Sequence, residues 1–413
     1  MGSDQMRVVL STYDSRGGME PLGALAVRLR EIGADVVLCG PADCAERLAE
    51  LGVPLVPVGL PVHELVHGPT PPTAADIPRR AAELMAAQFE LLAPVAEGCD
   101  LLVTSGLMSV VAAVRSVAEL LGVRSVKVAW CPIFLPSPQF PPFPPPGRPF
   151  PPGETDRRVL TKFEADGYND LFGPPLNAHR AAAGLPPVDD VRAHVLGDQV
   201  LLAADPVLAP WEGGDVDVVQ TGSWFVPDER PLSAALEAFL DAGEPPVYVS
   251  LGSLRAPDGF ARVAIDAVRA QGRRVVLGSG WAGLEPVDDR DDCFAVGEVN
   301  HQALFRRVAA IVHHGGAGTT ATATRSGTPQ VVVPQMMDQP YWAGRVAALG
   351  AGVAHDGPLP TVGSLSAALA RALSPEMRAR AAAVAATMRS DGAAVAAAML
   401  VDAVEHDRPL APA

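Results

Sequence analysis

The chain has 413 residues, with 32 lysines and arginines against 47 aspartates and glutamates, a formal net charge of −15. That length holds two or three domains with buried cores, and 48% hydrophobic against 19% charged residues excludes a disordered chain. The excess of acid argues against a nucleic-acid binder, which needs a basic face.

No run of about 18 apolar residues occurs, so no membrane insertion is expected. No basic segment followed by an apolar one opens the chain, so the expected compartment is the cytoplasm. Residues 1–5 read as an added leader ahead of a native start at Met6. Cys39, Cys44, Cys99, Cys131 and Cys293 are odd in number and lack CxxC spacing, which fits reduced thiols and argues against a disulfide framework or a zinc knuckle.

In chain order, the β-branched run at 6–12 predicts a strand, 13–18 a Gly-rich turn and 21–32 a helix ended by Gly33. Alternation continues with strand 34–40, helix 42–51, strand 53–57, helix 76–97, strand 100–104, helix 108–121 and strand 124–130. Strands alternating with helices imply a parallel sheet covered on both faces. The pattern breaks at 132–152, where proline removes too many backbone donors for a sheet. This stretch reads as an extended, rigid lip carrying Phe134, Phe140, Phe143 and Phe150 over a substrate cleft; a plain spacer is the alternative.

Helix returns near 158–184 and a strand at 201–205. The Pro/Gly-rich segment 206–219 reads as an interdomain linker. A second alternating unit follows: strand 246–254, helix 258–271, strands 273–280 and 293–296, helix 301–307, strand 311–314, helix 318–326, strand 331–334, helix 340–348 and strand 352–354. An Ala-rich amphipathic tail runs over 363–405. The expected organisation is an N-terminal domain over 1–205, the linker, a C-terminal domain over 220–390, and a closing helix and tail over 391–413 that packs back on the first domain. The fold class is α/β, two Rossmann-like parallel-sheet domains facing each other across a cleft. Ligands in such folds bind at the carboxyl ends of the strands.

Three motifs carry chemistry. VHHGGAGTTATA (312–323) ends a strand in two histidines, then two glycines admit close backbone approach and Gly318-Thr319-Thr320 opens a helix. Free N–H groups and the dipole at a helix start favour a phosphate. PQMMDQPYWAGR (334–345) places Asp338 and Gln339 before a proline-initiated helix, an acceptor and a donor suited to sugar hydroxyls. SLGSL (250–254) is a Gly turn after the first strand of the second half, weak by itself.

HHGGAGTT followed by PQMMDQPYWAGR resembles the donor-binding region of family 1 glycosyltransferases of the GT-B fold, close to the actinobacterial enzymes that decorate vancomycin-type glycopeptide antibiotics. SRGGMEPL (15–22), CAERLAELGVPLVPVG (44–59), NAHRAAAGLPPV (177–188), VQTGSWFVPDERPLSA (219–234) and VGEVNHQALFRRVAA (296–310) extend the resemblance over nearly the whole chain. It implies that His314, Gly316, Gly318 and Thr319 hold the donor diphosphate, with Gly252 and Ser253 beside it. Asp338 and Gln339 would hold sugar hydroxyls, and Trp281 and Val299 would lie on the donor side. Ser15, Arg16, Phe134, Phe140 and Phe143 would face the acceptor. The implied reaction is an inverting transfer from a UDP- or dTDP-sugar to a hydroxyl of a large aromatic or peptide acceptor. The resemblance implies no cofactor beyond the nucleotide sugar, no metal, and a monomer.

Relatives in that family read SRGDxEPL and others in the superfamily carry a histidine there, and the resemblance implies that this acid or histidine is the candidate general base that takes the acceptor's proton. Here the position is Gly18, which cannot accept a proton, while Asp14 stands four residues earlier where a glycine is usual. Asp14 is therefore the candidate base, and a phenolic acceptor, with pKa near 10, needs less help than an alcohol. A non-catalytic nucleotide-sugar binder is the reading in which the base was simply lost. A polyketide or other aromatic acceptor, and an epimerase of the same fold, are further alternatives. A dehydrogenase should show GxGxxG in the first turn, and YDSRGGME does not. HELVH (63–67) matches a zinc-protease string, but a helix started at Pro61 is ended by Gly68-Pro69 after barely two turns in a loop position of the first half, so the two histidines read as solvent-facing.

Overall fold

The computed structural model describes residues 5–68 and 73–411; of the readings above, those on residues 1–4 and Pro69 lie outside them. In the first half, β1 (Arg7–Tyr13) leads into α1 (Arg16–Glu31), β2 (Asp35–Gly40), α2 (Ala45–Glu50), β3 (Leu55–Pro57) and α3 (Val62–His67). Then come α4 (Ile77–Ala87), a wide π turn at Gln88–Leu92, α5 (Ala93–Ala96), β4 (Leu101–Gly106), α6 (Met108–Leu121) and β5 (Arg124–Ala129). After the proline-rich stretch follow α7 (Arg157–Ala182), α8 (Val191–Leu196), β6 (Gln199–Leu202) and β7 (Asp217–Gln220).

These strands form one parallel sheet in the order β3-β2-β1-β4-β5-β6-β7. Val8, Val9 and Leu10 are all fully buried in succession, as a strand covered on both faces requires. Each such side chain contributes about 1.5–3 kcal/mol of burial. The chain reverses its direction of travel across the sheet between β1 and β4, which pair through Val8–Leu101 to Tyr13–Gly106. That reversal is a topological switch point, where loops diverge and leave room for a ligand.

The second half runs α9 (Ala234–Asp241), β8 (Val247–Ser250), α10 (Phe260–Arg269), β9 (Val275–Gly278), β10 (Cys293–Val296), α11 (His301–Leu304), β11 (Ala310–His313), α12 (Ala317–Ser326), β12 (Gln330–Val332), α13 (Gln339–Ala348), β13 (Gly352–Ala354), α14 (Val362–Ala372), α15 (Pro375–Ala385) and α16 (Gly392–Glu405). Its parallel sheet has the order β10-β9-β8-β11-β12-β13, with the switch point between β8 and β11.

The chain forms two compact units: one runs up to Pro206 and includes Pro210–Val226 and the stretch from Ser390, the other holds Val207–Ala209 and Pro227–Arg389. The segment read as a linker at 206–219 differs from that expectation. Its DVDVV run (215–219) supplies β7, which pairs residue for residue with β6 from Gln199–Asp217 to Leu202–Gln220. The prolines and glycines ahead of it mask the β-branched alternation. The Ala-rich tail is divided into three helices. α14 and α15 belong to the second unit and α16 to the first. Ala396, Ala397, Leu400 and Ala403 of α16 share a core with Leu22, Leu25 and Leu29 of α1, the alanines admitting close approach. The short helices α3, α8 and α9 escape the periodicity, although Asp190 and Ser233 cap two of them by accepting from Ala193 N and Leu236 N. Among the described residues, no helix is long and apolar enough to cross a membrane.

Candidate active site

At the second switch point β11 ends in His313, and α12 begins at Ala317 after Gly316 as its N-cap. The first backward helical bond is Thr320 N to Gly316 O, at 2.9 Å. The amides of Ala317, Gly318 and Thr319 thus have no intrahelical partner, and no side chain caps them. No acidic residue stands in that first turn to compete for an anion. A Cβ on Gly318 would point into open space, so packing does not explain that glycine.

The two histidines have different surroundings. His313 is fully buried; its Nδ1 accepts from Gly315 N–H at 3.1 Å and its Nε2 meets Gln330 Oε1 at 2.9 Å. Gln330 Nε2 donates on to Thr324 Oγ1 at 2.9 Å. This network fixes the loop, and burial pushes the His313 pKa down to about 4. His314 is clamped between glycines. A Cβ on Gly252 would lie 2.8 Å from its Cε1, and one on Gly316 would lie 2.6 Å from its Nε2. Gly252 has φ +63°, so it also needs the left-handed freedom of glycine. The Nδ1 of His314 is buried without a partner. Burial, then the neighbouring His313, lowers its pKa to about 3, so the ring is neutral at pH 7.

Of the other residues expected on the donor side, Gln339 and the Gly280–Trp281 turn lie close to this loop. A Cβ on Gly315 would touch the backbone oxygen of Gln339 at 3.2 Å, which places the start of α13 against the histidine turn. Asp338 Oδ2 accepts from Trp342 Nε1 at 2.7 Å, and burial raises the Asp338 pKa. Gln339 Oε1 accepts from Gln335 N at 2.8 Å and Met336 N at 3.1 Å. Its carbonyl therefore shapes the turn, leaving the amide NH2 as the end to offer a sugar. Met337, between the two motifs' halves, has φ +56°, a strained backbone for a residue with a Cβ. A Cβ on Gly280 would sit 2.9 Å from Gly252 O, so the turn bearing Trp281 lies beside the Gly252-Ser253 turn. Val299 is half-buried against the core of Phe305 and Leu304. Sequence reasoning missed Trp342 as the residue that orients Asp338; the i,i+4 spacing on a helix was the available signal.

At the first switch point β1 ends at Tyr13 and α1 starts at Arg16. Asp14 Oδ1 accepts from Ser15 N–H at 2.7 Å. A Cβ on Gly18 would lie 2.5 Å from Asp14 Oδ2 and 2.8 Å from Asp14 Cγ. The Asp14 carboxylate occupies the space into which a side chain at position 18 would grow. Arg16 is engaged within its own helix, its Nε donating to Glu20 Oε1 at 3.2 Å.

The proline-rich stretch is extended and pinned. Ser137 Oγ donates to Gly213 O at 3.0 Å, and the Arg157 guanidinium holds the carbonyls of Ser137 and Pro138. Phe134 meets the Phe143 ring edge-on at 4.9 Å. Phe134, Phe140 and Phe143 line one small cavity of about 60 Å³ together with Arg157, Glu164 and Arg192. Phe150 instead packs on Phe163 of α7, at 5.7 Å.

Two other arrays have the look of chemistry. HELVH is the short helix α3, with Pro61 before it, and Asp43 accepts from Val62 N and His63 N at its start. His63 and His67 stack at 4.9 Å, and no group of three or more His, Cys, Asp or Glu among the described residues is arranged to hold a metal ion. Ser116, His194 and Glu119 lie at 3.2 and 3.4 Å, the spacing of a hydrolytic triad. Yet Ser116 is fully buried, donates to Ala112 O and receives Arg180 Nη1 at 2.9 Å, so it has no reach to a substrate.

Comparison with known proteins comes down on one side. The family model for the C-terminal domain of erythromycin biosynthesis protein CIII-like proteins matches residues 290–401. Over 99% of its length the chain is 56% identical to the vancomycin aglycone glucosyltransferase of Amycolatopsis orientalis, and covers all of it. It is 51% identical to the dTDP-epi-vancosaminyltransferase of the same organism, again over 99% of this chain and 100% of that one. Among solved structures, the glycotransferase of kitacinnamycin superposes with a TM-score of 0.73 over 98% of this chain and 100% of that one, at 21% identity.

Proposed function

Because the chain belongs to the glycosyltransferase family of these Amycolatopsis orientalis proteins and has the GT-B fold, we propose that it moves a sugar from a UDP- or dTDP-sugar to a hydroxyl of a glycopeptide aglycone or its monoglucoside. The observation that carries the donor half is the unpaired amide terminus of α12 beside a glycine-clamped His314. The donor diphosphate docks on the amides of Ala317, Gly318 and Thr319, with Gly252 and Ser253 beside it. The neutral His314 donates a hydrogen bond to a diphosphate oxygen, and the helix dipole meets the charge that grows as the diphosphate leaves. Trp342 aims the Asp338 carboxylate at the sugar hydroxyls, and the Gln339 amide donates to them. Trp281 and Val299 stand on the nucleoside side.

The acceptor is held by the phenylalanine-lined cavity and by Ser15 and Arg16, which requires the Arg16–Glu20 pair to open. Asp14 takes the acceptor hydroxyl's proton as its oxygen bonds to the anomeric carbon. The carbon–diphosphate bond breaks on the opposite face, so an α-linked donor gives a β-glycoside. All five cysteines are free thiols, in keeping with a cytoplasmic enzyme, and we place it there as a monomer.

Mass spectrometry of overnight reactions tests this. UDP-glucose, dTDP-glucose and a dTDP-deoxyaminosugar are each paired with a glycopeptide aglycone and its monoglucoside. A product one sugar heavier names donor and acceptor together. No product with any pair, while nucleotide still raises the melting temperature, favours the auxiliary binder.

A further inference from the structure

At the amino ends of β5 and β6, opposite the end of the sheet that carries Asp14, the first unit has a polar cavity of about 250 Å³. Arg115, Arg124, Ser125, Val126, Asp198 and Gln199 line it. The Arg115 guanidinium makes no hydrogen bond or ion pair with any described residue, and its Nε is buried without a partner. It is nonetheless held in place. Gly197 ends α8 with φ +60°, and a Cβ there would lie 2.4 Å from Arg115 Nη1. Only glycine lets the guanidinium rest on that backbone. Burial costs this cation, lowering its pKa, and the Asp198 and Glu119 charges offset the cost only through space. Glu119 already pairs with Arg180 at 2.8 Å. The Lys127 side chain, two residues along β5 from Ser125, has no hydrogen-bond or ion-pair partner among the described residues either, and burial and Arg115 depress its pKa to about 8.

A half-buried, preset guanidinium fork without an acceptor among the described residues matches an oxyanion. The remaining wall agrees. Arg124 donates to Ala403 O at 2.8 Å and Arg408 O at 2.7 Å, and Gln199 exchanges bonds with Leu410 at 2.6 and 2.9 Å. Those two side chains are therefore committed to fastening the C-terminal helix and tail. Arg115 and the Ser125 hydroxyl remain as donors to a ligand.

We infer that this cavity is a second anion site, which takes a phosphate group on Arg115 and Ser125 and steadies the docked C-terminal segment. The inference does not depend on the transfer reaction. Asp198, on the exposed rim, opposes an anion and keeps the site weak.

The test is the melting temperature of the full-length protein with inorganic phosphate against chloride at matched ionic strength. Phosphate at about 10 mM is expected to raise the wild-type Tm by about 2 °C or more, and the rise is expected to vanish in Arg115→Gln. General salting effects are common to both proteins and cancel in the comparison. Asp198→Asn, a surface change that leaves the fold intact, is expected to tighten phosphate binding several-fold. A nucleoside diphosphate tested on His314→Ala separates the sources of the phosphate. A shift that survives there and is lost with Arg115→Gln means that nucleotide phosphates also enter this cavity. No rise in the wild type, an equal rise in Arg115→Gln, or no tightening in Asp198→Asn overturns the inference.

Discussion

The turns after β11 and after β1 both leave the middle of a parallel sheet, and both open a helix. In the first, nearly every residue has a stated reason to be what it is. Gly252 and Gly316 clamp the His314 ring, His313 is tied to Gln330, and Gln339 closes the neighbouring turn. In the second, the arrangement rests on one carboxylate leaning across a glycine. On the proposed function, the constant diphosphate meets a site over-determined by backbone and small residues, and the variable acceptor meets one whose chemistry rests on a single side chain. The Asp14 carboxylate fills the space that a side chain at position 18 would take.

The largest effect expected from breaking this contrast is on Asp14. Asp14→Asn should lower kcat by about 100-fold or more and leave the donor KM within a factor of a few, in steady-state assays at pH 7.5. Gly18→Asp alone should also slow the enzyme, since the new Cβ collides with the Asp14 carboxylate at 2.5 Å. The double exchange Asp14→Gly with Gly18→Asp should recover activity to within about tenfold of wild type, because the carboxylate returns to the same space. On the over-determined side, Gly316→Ala should raise the donor KM by about tenfold while the acceptor KM holds, by pushing the His314 ring away. Trp342→Phe removes one charge-assisted hydrogen bond, and about fivefold in kcat/KM is expected with the fold unchanged.

The last effect is on the pH dependence of stability. His313 and His314 have pKa values depressed to about 4 and about 3, below the 6.5 of a free histidine. The unfolded chain thus binds more protons than the folded one below pH 6.5. Stability from the neutral rings is complete above that value and declines as pH falls, by about 1.4 kcal/mol per pH unit for each histidine. Urea midpoints between pH 7.5 and 5 should fall less steeply in His314→Gln than in the wild type.

What the sequence discloses and conceals follows the same division. The HHGG and DQ motifs are local, HHGG at a strand end and DQ at a helix start, both next to strands whose apolar runs are plain, and the glycines announce close approach before any packing is known. Alternating strands and helices reveal both sheets. Three features depend on long-range contact and stay hidden. β7 is masked by the prolines and glycines at 206–214 until β6 is beside it. The Ala-rich tail shows its period, and the packing of 391–413 on the first domain is expected, but the breaks that divide it into α14, α15 and α16 show only in the fold. Trp342 is visible only as an apolar helix residue until its indole N–H is seen on Asp338. Residues 14 and 18 are a middle case. The exchange is legible as two odd letters in SRGGMEPL and the residue before it, but only the structure shows that one side chain fills the other's space.

The most direct measurement is the initial rate of sugar transfer by Asp14→Asn, followed by mass spectrometry with the donor and acceptor pair that the wild type accepts. A fall of about 100-fold or more, with activity regained in the Asp14→Gly, Gly18→Asp exchange, is the predicted result. Turnover of Asp14→Asn at the wild-type rate would contradict the account.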